Sequence, residues 1–383
     1  MNSQSVNRVL ICITALYVLA VSLFWILLAS HTNQSAWDSL TFWFPRAIEF
    51  LDENAVVWVR GEDPSQMQAM HPSLVPTMLA LAVRLSNLLS APIGLLLLIA
   101  YMVAMAVLVV TAHRASGSRF RSGIPFLFII IALPLVENHV LRIGYADLWL
   151  ALGYLASAVG FGGYLERSNF TSLMLGIFGV SLCLTAKDTG VIYALLSALL
   201  FLATLAFRVF SPAALATALS LGALILFAAL FNPQQIFDVT GHMVGFKLDD
   251  YGRLLIQGGR QTELIELKPL YPIVLAELGR WFTNSSFSVL ATTFLLSSPI
   301  FLGSRISAGR PKDRLLYVWA CAVSLWIFIL SIQVLTTKYF LLGTNADTSI
   351  SRFLIPVALT MVLYISHIVV AISSKRIEGS GEW

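Results

Sequence analysis

The sequence predicts an all-α polytopic membrane protein with about ten transmembrane helices. Three observations carry that prediction. Of the 383 residues, 58% are hydrophobic and 11% are charged, whereas an ordinary soluble domain carries about a quarter charged residues. The mean hydropathy is +0.82. Apolar runs long enough to cross a bilayer, about 20 residues each, recur along the chain, and the basic residues between them sort by loop.

The first run, Leu10 to Ala29, is long enough to span. It lacks a small-residue cleavage pattern before Trp37, so it reads as a retained helix rather than a removed leader. Further spans are expected at about 91–112, 123–138, 147–165, 213–231, 285–303, 315–335 and 353–373. The stretch 170–207 is too long for one span and breaks at Lys187-Asp188-Thr189-Gly190, which makes it two helices. Ten spans put both termini on one side.

The charges orient this bundle. With the N-terminus cytoplasmic, Arg114, Arg119, Arg121, Arg167, Arg208, Arg305, Arg310, Lys312, Arg314, Lys375 and Arg376 all fall in cytoplasmic segments, as the positive-inside bias requires. The stretch 73–89 is apolar but carries Pro76, Arg84 and Asn87. Counting it as a span would invert every later loop, so it is expected to be interfacial or re-entrant. The whole chain, 1–383, then forms a single transmembrane domain. Its outer segments are 31–90, 232–284 and 336–352. In the first, Ser39 to Asp52 reads as an amphipathic helix, with Leu40, Phe44, Ala47 and Leu51 at helical spacing.

Composition excludes several classes. No Lys/Arg block marks a nucleic-acid partner. Cys12, Cys183 and Cys321 lie inside apolar runs, which suits packing rather than a disulfide framework or a zinc site. The net charge of +4 is modest.

Ionisable residues at a membrane are costly and therefore candidates for function. Asp38 follows the first span and precedes the amphipathic helix that carries Arg46. It suits both a helix cap and a general base. His71, before Pro72, reads as a loop residue or a ligand-facing group, and no second His stands at metal-ligand spacing. Glu137, His139, Arg142 and Asp147 cluster within eleven positions between two spans, as a salt-bridged loop or a site. Lys187 and Asp188 read as a self-neutralising pair, or as a lysine facing an anionic group. Arg352 opens the last span as a snorkelling anchor or a phosphate clamp. Acidic and basic residues thus gather at one membrane face. That suits an anionic, lipid-linked substrate, and it also suits a transporter or flippase for a lipid-linked or anionic solute.

At these residues the chain resembles a family. Trp37-Asp38-Ser39-Leu40-Thr41-Phe42-Trp43-Phe44-Pro45-Arg46-Ala47 is similar to the first-loop motif of bacterial GT-C type glycosyltransferases, relatives of the protein O-mannosyltransferases and aminoarabinose lipid A transferases. His71-Pro72-Ser73-Leu74-Val75-Pro76 resembles their His-Pro element. Gly144-Tyr145-Ala146-Asp147-Leu148-Trp149-Leu150-Ala151 resembles the second-loop motif, Thr185-Ala186-Lys187-Asp188-Thr189-Gly190 a Thr-Lys-Glu-Gly-like turn, and Ser351-Arg352-Phe353-Leu354-Ile355-Pro356 an Arg-Tyr-Leu-Leu-Pro element.

The resemblance implies a GT-C-like fold with amphipathic interfacial helices in the first outer loop. It implies inverting transfer from a polyprenyl-phosphate-linked sugar to a glycan, lipid or protein acceptor. Asp38 would be the general base. Lys187 and Arg352 would stabilise the leaving phosphate, and Asp147 and His71 would orient sugar hydroxyls or cationic neighbours. Some relatives use Mg²⁺ or Mn²⁺ between loop carboxylates, and others do not. The setting implied is a bacterial inner membrane, with the site facing the periplasm or exterior.

Overall fold

The computed structural model describes residues 3–31, 43–52, 74–115, 123–140, 146–187, 190–209, 245–248, 254–258, 261–265, 285–307, 317–327 and 355–369. The described residues are predominantly helical. Eight helices precede a small sheet: α1 (Ser3–His31), α2 (Phe44–Asp52), α3 (Leu74–Leu89), α4 (Ile93–Ala115), α5 (Gly123–Val140), α6 (Ala146–Arg167), α7 (Phe170–Ala186) and α8 (Gly190–Val209). Three follow it: α9 (Ser285–Ser307), α10 (Tyr317–Ile327) and α11 (Ile355–Val369). The chain forms two compact units, one of 1–201, 285–326 and 351–383, the other of 202–284 and 327–350.

Within the first unit, α6 is the central helix. Eighteen of its 22 residues are buried. Among the described residues it is also the one helix long and apolar enough to cross a membrane, with the bent pair α3–α4 as a second if it counts as one span. Seven other apolar helical stretches among the described residues are shorter. Large apolar side chains point away from the protein on several helices, among them Leu16, Leu19 and Leu23 on α1, Val103 and Val107 on α4, and Phe170 and Phe178 on α7.

Small residues explain why α6 is so enclosed. It packs on α7 as an antiparallel hairpin in which Gly153 meets Cys183 and Gly179, and Gly160 meets Gly176 and Ser172. A Cβ built on Gly160 would collide with the Gly176 backbone, and one on Gly179 with the backbone of Ser157. Small residues at the contact let the two backbones approach closely and gain dispersion contact, the packing mode that membrane helices favour. The hairpin turns through Ser168, at φ 51°, into Asn169, whose side chain accepts from the Thr171 amide at 3.0 Å and caps α7.

Buried hydroxyls tie the neighbours to this pair. Ser197 of α8 donates to Ser157 of α6 at 2.7 Å, Tyr317 of α10 donates to the Ser197 carbonyl at 2.9 Å, and Tyr154 donates to the Cys321 carbonyl at 2.9 Å. On the other side of the unit, Trp319 of α10 donates to Ser298 of α9 at 2.9 Å, and Phe294 of α9 packs edge-on against Tyr364 of α11. Cys183 and Cys321 are buried packing residues, as expected, while Cys12 is exposed on α1.

Residues 74–89 do form a helix, and it does not continue into the next one. The axis turns by 118° between α3 and α4. Ser90 takes a positive φ of 53°, Ser86 donates to the Ala91 carbonyl at 2.6 Å, and the Pro92 carbonyl accepts from Leu95 to start α4. A bend of this size is what a broken span and a re-entrant segment both show.

The second unit adds an element that the helical reading did not anticipate. Strands β1 (Gly245–Leu248), β2 (Leu254–Gly258) and β3 (Gln261–Ile265) form an antiparallel sheet in the order β1-β2-β3. Gly258 pairs with Gln261 across β2 and β3. The expected span at 213–231 lies outside the described residues.

Candidate functional site

The site is built at the end of the α6–α7 hairpin opposite its turn. The antiparallel register that sets Gly160 on Gly176 and Gly153 on Cys183 carries on to bring the first turn of α6 beside the last residue of α7. Asp147 occupies that first turn, where a carboxylate also complements the unpaired amides of the helix start. Lys187 caps α7 in an extended conformation, φ −156° and ψ 154°. Its ammonium donates to Asp147 Oδ1 at 2.8 Å. The carboxylate side chain is 3% exposed and the lysine side chain 18%, so the pair has a dry end and a reachable end.

Gly190 allows the chain to leave this point. Its amide donates to the Lys187 carbonyl at 2.8 Å. A Cβ there would strike the Cys183 carbonyl, so only glycine lets α8 start so close to the end of α7. Three residues on, Tyr193 of α8 is buried against Tyr154, ring edge to ring face at 5.8 Å, and its hydroxyl is within electrostatic reach of the Asp147 carboxylate.

The first outer segment is joined to the same place. Trp43, Ala47 and Phe50 of the α2 segment pack with Val75, Leu79 and Ala80 of α3 and with Ala146, the residue before Asp147. Trp149 and Leu97 border this cluster. The amphipathic helix expected over 39–52 is thus present over its described part. Its buried stripe runs through 43, 47 and 50, with Phe44 and Leu51 only partly buried, a rotation of about one position from the stripe expected. Arg46 lies on the buried side, 5% exposed, with its guanidinium over the Phe50 ring at 5.7 Å.

Of the residues singled out by sequence, Arg46, Glu137, His139, Asp147 and Lys187 are described, and Asp147 and Lys187 are in contact. Lys187 pairs with Asp147, forty positions away, and the expected pairing with Asp188 falls on a residue outside the described ones. Glu137 and His139 lie in the last turn of α5. Asp38, His71, Arg142, Asp188 and Arg352 lie outside the described residues. Among the described residues, no three His, Cys, Asp or Glu side chains gather as a site for Mg²⁺ or Mn²⁺ would need. Tyr193, Trp149 and Tyr101 were not singled out. Each is an aromatic inside an apolar run, a pattern that membrane helices produce everywhere.

No family model matches the chain, and neither curated proteins nor solved structures yield a match.

Proposed function

We propose that the chain is an integral membrane glycosyltransferase of GT-C type that moves a sugar from a polyprenyl-phosphate-linked donor to an acceptor hydroxyl. The observation that carries this reading is the Asp147–Lys187 pair, largely buried at the same end of α6 where α2 docks beside Ala146. Three segments that resemble separate motifs of one family, the first-loop helix, the second-loop acidic residue and the lysine turn, are neighbours in space. The outward apolar side chains of α1, α4 and α7 support a lipid setting, since exposed apolar surface of this extent is unusual in water.

In this reaction the acceptor oxygen bonds to the anomeric carbon as the bond from that carbon to the phosphate oxygen breaks. The anomeric configuration inverts. Asp38 takes the acceptor proton, a role that a carboxylate within hydrogen-bond reach performs at neutral pH. The lipid phosphate departs as an anion. Lys187 stabilises it from the reachable end of the pair, and Arg352 adds a second cation. Asp147 fixes where the Lys187 ammonium stands, and a charge held in place before the reaction needs no reorganisation during it. In the proposed topology both termini are cytoplasmic and the site faces the periplasm or exterior.

Binding and transfer with purified protein test the proposal. Wild-type protein is expected to bind polyprenyl phosphate saturably and to transfer sugar from a polyprenyl-phosphate hexose or pentose. Asp38→Asn is expected to bind the lipid and lose most transfer. Absence of binding across a panel of such lipids, with counterflow of a labelled anionic solute in vesicles, would replace the transferase with a transporter.

A further inference from the structure

Tyr101 sits on the buried face of α4, which runs through Leu98, Tyr101, Met105 and Leu108. The residue is 3% exposed. Its ring meets Trp149 of α6 edge-on, with centroids 6.5 Å apart at 87°. Among the described residues its hydroxyl has no hydrogen-bond partner. Two other tyrosines of the same core behave differently: Tyr154 and Tyr317 each donate to a backbone carbonyl at 2.9 Å.

A buried hydroxyl left unpaired costs about 1–3 kcal/mol. Phenylalanine would fill the same space and keep the Trp149 contact without that cost. An oxygen retained there calls for a partner that arrives from elsewhere. The neighbourhood indicates where. Leu97, one turn before Tyr101 on α4, borders with Trp149 the apolar cluster that holds α2, α3 and Ala146 together, and Asp147 follows Ala146 directly. Tyr101 therefore lies on the side of α4 that meets the first turns of α6, close to the pair that anchors the candidate site.

We propose that the Tyr101 hydroxyl hydrogen-bonds an oxygen of the bound lipid-linked donor, on its phosphate or its sugar. This rests on the transferase reading and adds to it a positioning residue that faces the ligand from α4, across α6 from the lysine turn. A phenol suits either oxygen, as it donates to phosphate and both donates to and accepts from a sugar hydroxyl.

The test uses full-length protein, wild type and Tyr101→Phe, with polyprenyl phosphate and a polyprenyl-phosphate hexose as probes. Affinity for each probe and the thermal midpoint without ligand are measured. Tyr101→Phe is expected to melt at the wild-type temperature or above it, because no protein bond is lost, and to bind the hexose lipid about five- to twenty-fold more weakly. A matching loss for the bare lipid phosphate assigns the contact to phosphate, and a loss confined to the hexose lipid assigns it to sugar. Wild-type affinity in the variant for both probes overturns the inference while leaving the transferase reading intact. A lowered midpoint without ligand also overturns it, by revealing a structural bond. If wild-type protein binds neither probe, the reading beneath the inference fails first.

Discussion

Lys187 reaches Asp147 across the open end of the α6–α7 hairpin, with 2.8 Å between the ammonium and the carboxylate. Forty positions separate them in the chain, and glycine-on-glycine packing closes that gap. An acidic residue at a helix start and a basic residue at a helix end each complement their own helix, so the contact satisfies both termini as well as both charges.

Removing one partner leaves the other charge without its counterpart in a largely buried place. Asp147→Asn and Lys187→Met are each expected to destabilise the protein by roughly 2–4 kcal/mol, and the double variant by less than the sum, as buried pairs generally behave. Thermal melts of the four proteins in detergent measure the coupling. Strict additivity would mean that the contact contributes nothing.

The hairpin itself depends on missing side chains. Gly160→Leu or Gly179→Leu must push α6 from α7, and overpacking of this kind costs at least about 3 kcal/mol where backbone is the obstacle. Gel filtration of solubilised protein is expected to show loss of the monodisperse species for both.

Docking of α2 rests on Trp43, Ala47 and Phe50. Phe50→Ala removes the ring beneath the Arg46 guanidinium and a buried aromatic, a change worth about 3–5 kcal/mol in a packed core. Because α2 is short, the expected result is local release: faster protease cleavage within 43–52 at an almost unchanged global melting point. A falling global midpoint with unchanged cleavage would show that α2 is integral to the core instead.

The outward face of α1 separates lipid from water as its surroundings. Leu19→Trp is expected to be tolerated, and Leu19→Asp to reduce membrane-integrated protein sharply, since an acidic residue near a helix centre costs about 2.5–3.5 kcal/mol on insertion. Carbonate extraction of membranes reads this directly. Equal recovery of both variants would point to a solvent other than lipid.

Much of the helical layout was legible because its cause is local. Apolar length marked α1, α4, α6 and α9, and the break at Lys187 to Gly190 separated α7 from α8. The charge bias kept 73–89 out of the span count because counting it would invert every later loop, and the helix there bends by 118° from α4, as a broken span and a re-entrant segment both do. Asp147 and Lys187 were each visible as expensive residues, but not as each other's partner, because only the hairpin register sets which residue of α7 stands opposite the start of α6. The stripe on α2 was displaced by one position because Leu40 and Phe44 were weighted by hydropathy, whereas Trp43 and Phe50 are what the α3 groove accepts. Tyr101 and Tyr193 were invisible for a different reason. An aromatic in an apolar run looks like core, and only an unmet hydroxyl or a nearby carboxylate sets one apart. The sheet at 245–265 was missed because Leu254-Leu255-Ile256 is apolar without alternation, and a search for span-length runs passes over segments of five.

The compactness of the α6–α7 hairpin also bears on the order of events during synthesis. Residues 146 to 187 contain everything the Asp147–Lys187 contact needs: the cap at Asn169, the glycine faces and both charges. Short loops close cheaply, and chains fold from the N-terminal side as they are made. The two charges can therefore neutralise each other while α9, α10 and α11 are still untranslated. When Tyr317 and Cys321 arrive to seal the far side of α6, they close over a dipole rather than over two separate ions.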